Sequence, residues 1–270
     1  MMSRYIDAKN TFIDEINLDD YIDLESSTLA YEQLLHSLDK SLKMVLIFGR
    51  PGTGKSFLLN KVYHSKKHQK DLYFFNTPAT TKREFFNKLF KVLTKKDMPS
   101  GTNIDFETFV EYLRSHKGQK EIIILLDEAQ MYPTEILEEI RILSDSGVIK
   151  FVISLHKTDD EDIVAKEHFQ SRIWETIELK NASKDELKTY IHKKLLKTNQ
   201  FEIANLIKDK HVTLAHKYTL GNYRETNKFF YTIFEICEYY DMNDPSKIDH
   251  HSFSKKIMEM AAIKLGYINV

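Results

Sequence analysis

Short runs of apolar residues recur along the first two thirds of the chain and alternate with segments of helical periodicity. Five of these runs predict buried β-strands, because continuous apolar runs of four to eight residues are typical of strands covered on both faces. The predicted strands are residues 44–48, 72–75, 122–126, 151–156 and 174–179. Strands that alternate with helices favour a parallel sheet between two helical layers. We therefore predict an α/β three-layer sandwich with a five-stranded parallel sheet.

The segments between these strands carry apolar residues at helical spacing, at residues 29–38, 57–62, 85–93, 106–113, 133–143 and 159–169. After the fifth strand only helical periodicity remains, which predicts a small all-helical lid domain. Residues 1–26 are acidic with scattered aromatic residues, a composition typical of an irregular segment. The predicted organisation is an N-terminal segment over 1–26, an α/β domain over 27–181 and a helical domain over 182–270. A short hinge is expected near residues 180–183.

Composition and charge exclude several classes of protein. The 39 Lys and Arg residues nearly balance the 40 Asp and Glu residues, and the formal net charge is −1. No global field therefore attracts nucleic acid, so DNA binding would need a local patch such as the basic run 64–70. No stretch approaches the ~20 apolar residues of a membrane span, and the N-terminus lacks an apolar signal core, so we predict a cytoplasmic protein without membrane insertion. The single cysteine, Cys237, lies in an apolar run and is expected to be buried.

A glycine-rich segment follows the first predicted strand. Residues 49–56 read GRPGTGKS, which fits the phosphate-binding pattern GxxxxGK[ST], and a predicted helix comes next. Its glycines let backbone N–H groups and the positive end of the helix approach a phosphate. Lys55 is expected to contact the β- and γ-phosphates, and the Ser56 hydroxyl to hold Mg²⁺. The candidate ATP-binding residues of this loop are Gly49, Pro51, Gly52, Thr53, Gly54, Lys55, Ser56 and Phe57.

Two carboxylates follow the third predicted strand. Because parallel strands deliver their carboxyl ends to one edge of a sheet, Asp127 and Glu128 should lie near the phosphate loop. Asp127 is expected to bind Mg²⁺ directly or through water, and Glu128 to act as general base toward the attacking water. The fourth strand ends in two further polar residues, Ser154 and His156. Either could hydrogen-bond the γ-phosphate or the water, and Ser154 is the favoured candidate.

Taken together, these motifs resemble the AAA+ ATPases, and within them the general secretion pathway A-type (ExeA/GspA-like) group. Besides the phosphate loop, the likeness rests on LDEAQ at 126–130, LEEIRILS at 137–144, SRI at 171–173 and GNYR at 221–224. By this resemblance, Arg172 is an arginine finger presented to a neighbouring subunit. The same resemblance makes Arg224 a lid arginine that senses the γ-phosphate. Where the group usually has Gly-Gln-Pro after the fourth strand, this chain has Leu155-His156-Lys157.

The resemblance implies an ATP-hydrolysing module that forms homo-oligomers and drives or switches a partner assembly, such as secretion or DNA-uptake machinery. Its cofactors would be ATP and Mg²⁺, and its partner an unidentified protein that can be membrane-associated. Two alternatives stay open: a DNA-associated ATP switch of the transposition-regulator or initiator kind, and a nucleotide-binding scaffold with little turnover. DNA binding is not favoured, because the net charge is close to zero.

Overall fold

The computed structural model describes residues 3–15, 17, 21–97, 106–115, 121–156, 167 and 169–268. The chain divides into two compact units. The α/β unit is Ser27–Leu179, and the helical unit joins Met1–Ser26 to Lys180–Val270. The acidic helix expected at 159–169 falls almost entirely outside the described residues.

The α/β unit is built on a five-stranded sheet in which neighbouring strands are parallel. Its strands are β1 (Met44–Gly49), β2 (Leu72–Phe75), β3 (Ile122–Leu126), β4 (Ile149–His156) and β5 (Ile173–Leu179). They lie side by side in the order β2-β3-β4-β1-β5. The five-stranded parallel sheet predicted from the apolar runs is confirmed.

Helices occur in both units and are numbered along the chain. They are α1 (Ile6–Thr11), α2 (Glu25–Asp39), α3 (Lys55–Lys66), α4 (Lys82–Thr94), α5 (Phe106–Ser115), α6 (Thr134–Ser144), α7 (Lys184–Lys197), α8 (Phe201–Leu206), α9 (Asp209–Thr219), α10 (Tyr223–Asn243) and α11 (Lys255–Lys264). Within the described part of the chain, no helix combines the length and the apolar character needed to span a membrane.

Successive side chains of each central strand enter two different cores, because strand residues alternate between the faces of a sheet. In β1, Met44 and Leu46 pack into a core lined by α4, α5 and α6, while Val45 and Ile47 pack into one lined by α2 and α3. Both faces of the sheet are therefore covered by helices. This is the three-layer sandwich that the sequence predicts.

The helical unit packs around its own apolar core, to which α7, α8, α9, α10 and α11 contribute. Leu187, Phe229 and Phe234 are fully buried there. Cys237 is 1% exposed in the same core, as expected from its apolar surroundings in the sequence. Burial raises the pKa of its thiol to about 12, so the side chain is a buried apolar group and not a nucleophile.

In the N-terminal segment, residues 3–15 belong to the helical unit and include α1, which corrects the prediction of an irregular segment over 1–26. Around α1, Tyr5, Ala8 and Phe12 are each at most 2% exposed and belong to the core of the helical unit. The Phe12 ring stacks on Phe230 with centroids 5.2 Å apart. The spacing of three and four residues places these side chains on one helical face. A six-residue helix in an acidic segment is too short for this periodicity to stand out in the sequence.

Candidate functional site

The loop between β1 and α3 has a backbone suited to holding a phosphate. Gly52 and Gly54 have φ of +80° and +94°, a region that glycine adopts without strain. A Cβ on Gly49 would lie 2.2 Å from the Leu179 carbonyl oxygen, so β1 and β5 can approach this closely only at a glycine. Gly54 directly precedes α3, whose first N–H groups and positive dipole end adjoin the loop.

The Lys55 side chain lies within this loop and is 4% exposed. Its Nζ donates to the carbonyl oxygens of Gly49 at 2.7 Å and Arg50 at 3.0 Å. Thr53 Oγ1 donates to the same Arg50 oxygen at 2.8 Å, which fixes the loop from the other side. A positive charge is thereby held beside the loop's N–H groups, where it favours an anion.

The ends of β3 and β4 bring Asp127, Glu128 and Ser154 together. Ser154 Oγ donates to Asp127 Oδ1, and the Glu128 N–H donates to Asp127 Oδ1 at 3.0 Å and Ser154 Oγ at 3.1 Å. Ser154 is fully buried and Asp127 is 5% exposed. The Ser154 hydroxyl therefore orients both the buried carboxylate of Asp127 and the backbone of Glu128.

Glu128 has a left-handed backbone, with φ 49° and ψ 49°. Such a conformation costs a residue with a side chain roughly 1–2 kcal/mol. The two hydrogen bonds of the Glu128 N–H offset this cost. The left-handed backbone interrupts the extended conformation of the chain after β3. It leaves the Glu128 side chain 44% exposed at the carboxyl-terminal end of the strand. Strain of this kind is common where a side chain has to be aimed at a ligand.

His156, the less favoured of the two polar candidates at the end of β4, lies beside Glu128. His156 Nε2 is 3.7 Å from Glu128 Oε1, and the His156 N–H donates to Gln130 Oε1 at 3.4 Å. In the sheet His156 is opposite Gly49 of β1. It therefore lies between the acidic pair and the phosphate loop, whereas Ser154 is bound to Asp127. Strand order decides this placement, and the sequence alone does not provide that order.

The residues at this edge fit a magnesium-bound nucleotide. β4 separates β3 from β1, so the acidic pair and the phosphate loop are about 10 Å apart across the sheet. Mg²⁺ is commonly held by one or two protein oxygens together with phosphates and waters. Ser56 in the first turn of α3 and Asp127 after β3 provide oxygens of this kind.

Arg172 lies at the amino-terminal ends of the strands, whereas the phosphate loop lies at their carboxyl-terminal ends. It directly precedes β5, whose first residue, Ile173, is opposite Met44 at the start of β1. From Met44 the strand runs about 17 Å to the loop. The structure therefore does not bring Arg172 together with the phosphate site of its own α/β unit.

Asp145 holds the Arg172 side chain. Arg172 Nη2 and Nε donate to Asp145 Oδ2 at 3.0 and 3.4 Å, and Lys43 Nζ donates to Oδ1 at 2.7 Å. Burial raises the pKa of Asp145, but the hydrogen bonds from Lys43 and Arg172 outweigh it and hold the pKa below its usual range. The carboxylate is therefore ionised near neutral pH and binds both cations.

Arg224 lies in the first turn of α10, in the helical unit. Gly221, with φ +75°, makes the turn before this helix, and Asn222 caps it by accepting a hydrogen bond from the Glu225 N–H at 3.2 Å. Arg224 Nε donates to Asp14 Oδ2 at 3.1 Å, and its side chain is half exposed. The candidate lid arginine is thus ion-paired with the N-terminal segment.

Comparison with known families shows that residues 37–159 match the AAA domain. A search of the curated proteins found no match. Among solved structures, the chain is similar to Cdc6p from Pyrobaculum aerophilum, with a TM-score of 0.60 and 14% identity over 95% of this chain and 70% of that one.

Two further structures show the same architecture. A Walker-type ATPase of Pyrococcus abyssi gives a TM-score of 0.57 at 16% identity, over 95% of this chain and 77% of that one. An ORC1 protein of Aeropyrum pernix, solved in complex with DNA, gives 0.55 at 13% identity, over 95% and 69%. These similarities confirm the P-loop NTPase fold with a helical domain.

Proposed function

We propose that this chain is an AAA+ ATPase that binds ATP with Mg²⁺ and hydrolyses it. The observation that carries the proposal is the meeting of two features at one sheet edge: the phosphate loop after β1, and the cluster of Asp127, Glu128 and Ser154 after β3 and β4. The AAA domain match over 37–159 supports it.

Each residue of the site has a proposed role. Backbone N–H groups of the loop and the Lys55 ammonium bind the phosphates, and Ser56 and Asp127 hold Mg²⁺. Glu128, whose carboxylate is half exposed beside this site, takes the proton of the attacking water. Ser154 orients Asp127 and the Glu128 backbone through its hydroxyl.

Steady-state release of phosphate from Mg·ATP tests this function directly. An ATPase releases phosphate continuously, and the release should stop when Mg²⁺ is removed by a chelator. Binding of ATP without release of phosphate would instead support a nucleotide-binding scaffold.

Lys55→Ala is expected to weaken ATP binding about tenfold to a hundredfold, because a charge-assisted hydrogen bond contributes roughly 1.5–3 kcal/mol. Calorimetric titration with ATP measures the effect. Lys61→Ala is the matched control, since Lys61 lies on the same helix over the Tyr31 ring and should leave the affinity unchanged. Equal ATP affinity in Lys55→Ala and in the unmodified chain would contradict the proposed site.

Ser154→Ala is expected to lower the free energy of unfolding by about 1–3 kcal/mol and to slow hydrolysis by roughly tenfold, because it removes a buried partner from Asp127 and from the Glu128 N–H. Urea denaturation and phosphate release measure the two effects. Ser154→Thr keeps the hydroxyl and should retain most of both. If Ser154→Ala matches the unmodified chain in both, the hydroxyl does not organise the site.

The module is further proposed to act as a homo-oligomer in which Arg172 serves a neighbouring subunit. Support comes from its position, about 17 Å of strand away from its own phosphate loop. Arg224 is proposed to sense the γ-phosphate. Membership of the general secretion pathway A-type group, a cytoplasmic location and an unidentified protein partner in secretion or DNA uptake remain proposals. A pull-down with a hydrolysis-deficient variant would test for that partner.

A DNA-associated ATP switch is the second candidate function. The basic run 64–70 at the end of α3 favours it, since His64 and His68 are exposed there among lysines. The fold is also shared with an ORC1 protein solved with DNA. Anisotropy of a labelled duplex, with and without ATP and at two salt concentrations, tests it. DNA-binding by this run would weaken in a Lys66→Gln, Lys67→Gln double variant.

A further inference from the structure

The Arg224 side chain contacts the N-terminal segment through one nitrogen of its guanidinium group. Asp14 Oδ2 accepts a hydrogen bond from Arg224 Nε at 3.1 Å, and the two side chains are 46% and 51% exposed. Within the described residues, neither terminal nitrogen of Arg224 donates a hydrogen bond. A guanidinium offers five N–H donors in a planar fork, and a phosphate is bound best by two of them in parallel. The ion pair therefore leaves the outer pair of nitrogens for a phosphate.

Asp14 is itself fixed by Asn227 of α10. Its other oxygen, Oδ1, accepts a hydrogen bond from Asn227 Nδ2 at 3.4 Å. Asn227 is 6% exposed, and its Oδ1 accepts from Tyr190 Oη at 2.8 Å and from Lys194 Nζ at 3.1 Å. Because these two donors bind the amide oxygen, the NH₂ group of Asn227 faces Asp14. The two carboxylate oxygens of Asp14 thus bind one donor each.

The backbone that carries Asp14 is anchored in the core of the helical unit. Phe12, two residues earlier, is 1% exposed and stacks on Phe230. The Ile13 N–H donates to the Asn10 carbonyl oxygen at 3.2 Å, just after α1 ends. This short link from a buried ring restricts the movement of Asp14. Its carboxylate is therefore held at a defined point beside α10.

A second carboxylate in the same turn of α10 has different partners. Glu225, the residue after Arg224, accepts hydrogen bonds from Tyr267 Oη at 2.7 Å and from Lys228 Nζ at 2.9 Å. Burial raises the pKa of Glu225, but the hydrogen bonds from Lys228 and Tyr267 outweigh it and hold the pKa below its usual range. Glu225 is therefore ionised and bound by its own two donors, while Asp14 is the carboxylate that binds Arg224.

We propose that Asp14 is a positioning residue for Arg224, which it holds by Nε so that the two terminal nitrogens are presented to the γ-phosphate of ATP. This inference rests on the proposed function, in which Arg224 senses the γ-phosphate. A long side chain loses conformational freedom when it binds a ligand, and Asp14 removes part of that freedom beforehand. ADP lacks the γ-phosphate, so the gain in affinity is confined to ATP.

The geometry favours this role over competition between Asp14 and the phosphate. A competing carboxylate would bind the terminal pair of nitrogens, as bidentate arginine–carboxylate pairs do. Asp14 instead contacts Arg224 by a single oxygen on Nε, and its second oxygen binds Asn227.

Affinities for ATP and ADP, measured by calorimetry in the hydrolysis-deficient Glu128→Gln chain, test the proposal. Asp14→Asn should lower the preference for ATP over ADP by about twofold to fivefold, the range for an exposed ion pair, and should leave the ADP affinity unchanged. The amide has nearly the shape of the carboxylate, but it cannot offer a separate oxygen to each of Asn227 and Arg224. Asp14→Glu keeps both oxygens and should recover part of the preference.

Two further variants complete the experiment. Arg224→Ala should lower the preference for ATP more strongly, and adding Asp14→Asn to it should have no further effect, because Asp14 acts through Arg224. Glu202→Ala is the matched control. It breaks the ion pair of Arg4 with Glu202 (3.0 Å), which also joins the N-terminal segment to α8, and it should leave the preference for ATP unchanged.

Three outcomes overturn the inference while the proposed function stands. Asp14→Asn could keep the full preference for ATP while Arg224→Ala loses it. A preference that rises in Asp14→Asn would make Asp14 a competitor of the γ-phosphate, and an equal loss of ATP and ADP affinity would make it a structural contact only. By contrast, an unchanged preference in Arg224→Ala would contradict the proposed role of Arg224, and the inference would fall with it.

Discussion

Arg172→Ala is expected to bind ATP with unchanged affinity and to hydrolyse it about 10³- to 10⁵-fold more slowly, the range for a guanidinium supplied to a transferring phosphoryl group. The effect requires a neighbouring subunit, because Arg172 lies at the amino-terminal ends of the strands and the phosphate loop of the same chain lies at their carboxyl-terminal ends. Specific activity of the unmodified chain should therefore rise with protein concentration. Arg141→Ala, which removes an arginine paired locally with Glu138, is the control and should retain activity.

Mixing two inactive variants gives the sharper test. Arg172→Ala has an intact base and Glu128→Gln an intact arginine, so some mixed interfaces hold both. At random equal mixing about one interface in four is complete in a head-to-tail assembly. Activity that returns on mixing supports a shared site. Mixtures that co-assemble in sedimentation and stay inactive would place Arg172 outside catalysis.

Glu128→Gln is expected to retain Mg·ATP and to slow hydrolysis by about 10²- to 10⁴-fold, because the amide fills the same space without accepting a proton. The fold should be unaffected, since the Glu128 contacts with Asp127 and Ser154 are made by its backbone N–H. Calorimetry measures retention of ATP, and single-turnover phosphate release measures the chemical step.

The control for this variant is Glu135→Gln, which changes an exposed carboxylate on α6 that pairs with Lys82. It removes the same charge from the same unit and should leave turnover unchanged. Wild-type turnover in Glu128→Gln would mean that another group receives the proton.

Local patterns predict the sheet well where the strands are uniformly apolar. β1 and β3 are continuous apolar runs, and the structure extends β1 by one residue and leaves β3 as predicted. β4 begins two residues earlier than its apolar run, because it includes the buried Lys150. Lys150 Nζ donates to the Leu38 carbonyl oxygen near the end of α2 at 3.0 Å. Because this lysine is polar and its partner is distant in the sequence, the hydrophobic pattern does not indicate that Lys150 belongs to a buried strand.

The site shows the same division between local and distant information. The proximity of Ser154 to Asp127 could be inferred from the sequence, since parallel strands end at one edge. Arg172 with Asp145 and Arg224 with Asp14 are 27 and 210 positions apart, and sequence patterns do not reveal such pairs. Each arginine is therefore bound by a carboxylate of its own unit. From the neighbouring sequence alone, either arginine would be predicted to be a solvent-exposed charge.

The burial of α1 in the helical unit constrains the order in which a newly made chain can fold. During synthesis Phe12 emerges before every strand of the sheet, and α7 follows α1 by roughly 170 residues, on the order of 10–35 s at ribosomal speed. All five strands emerge in that interval, so the sheet can form while Tyr5, Ala8 and Phe12 still lack their partners. During that interval the apolar face of α1 is exposed to solvent and can bind other apolar surfaces. We expect chaperones to bind there until α10 emerges and covers it.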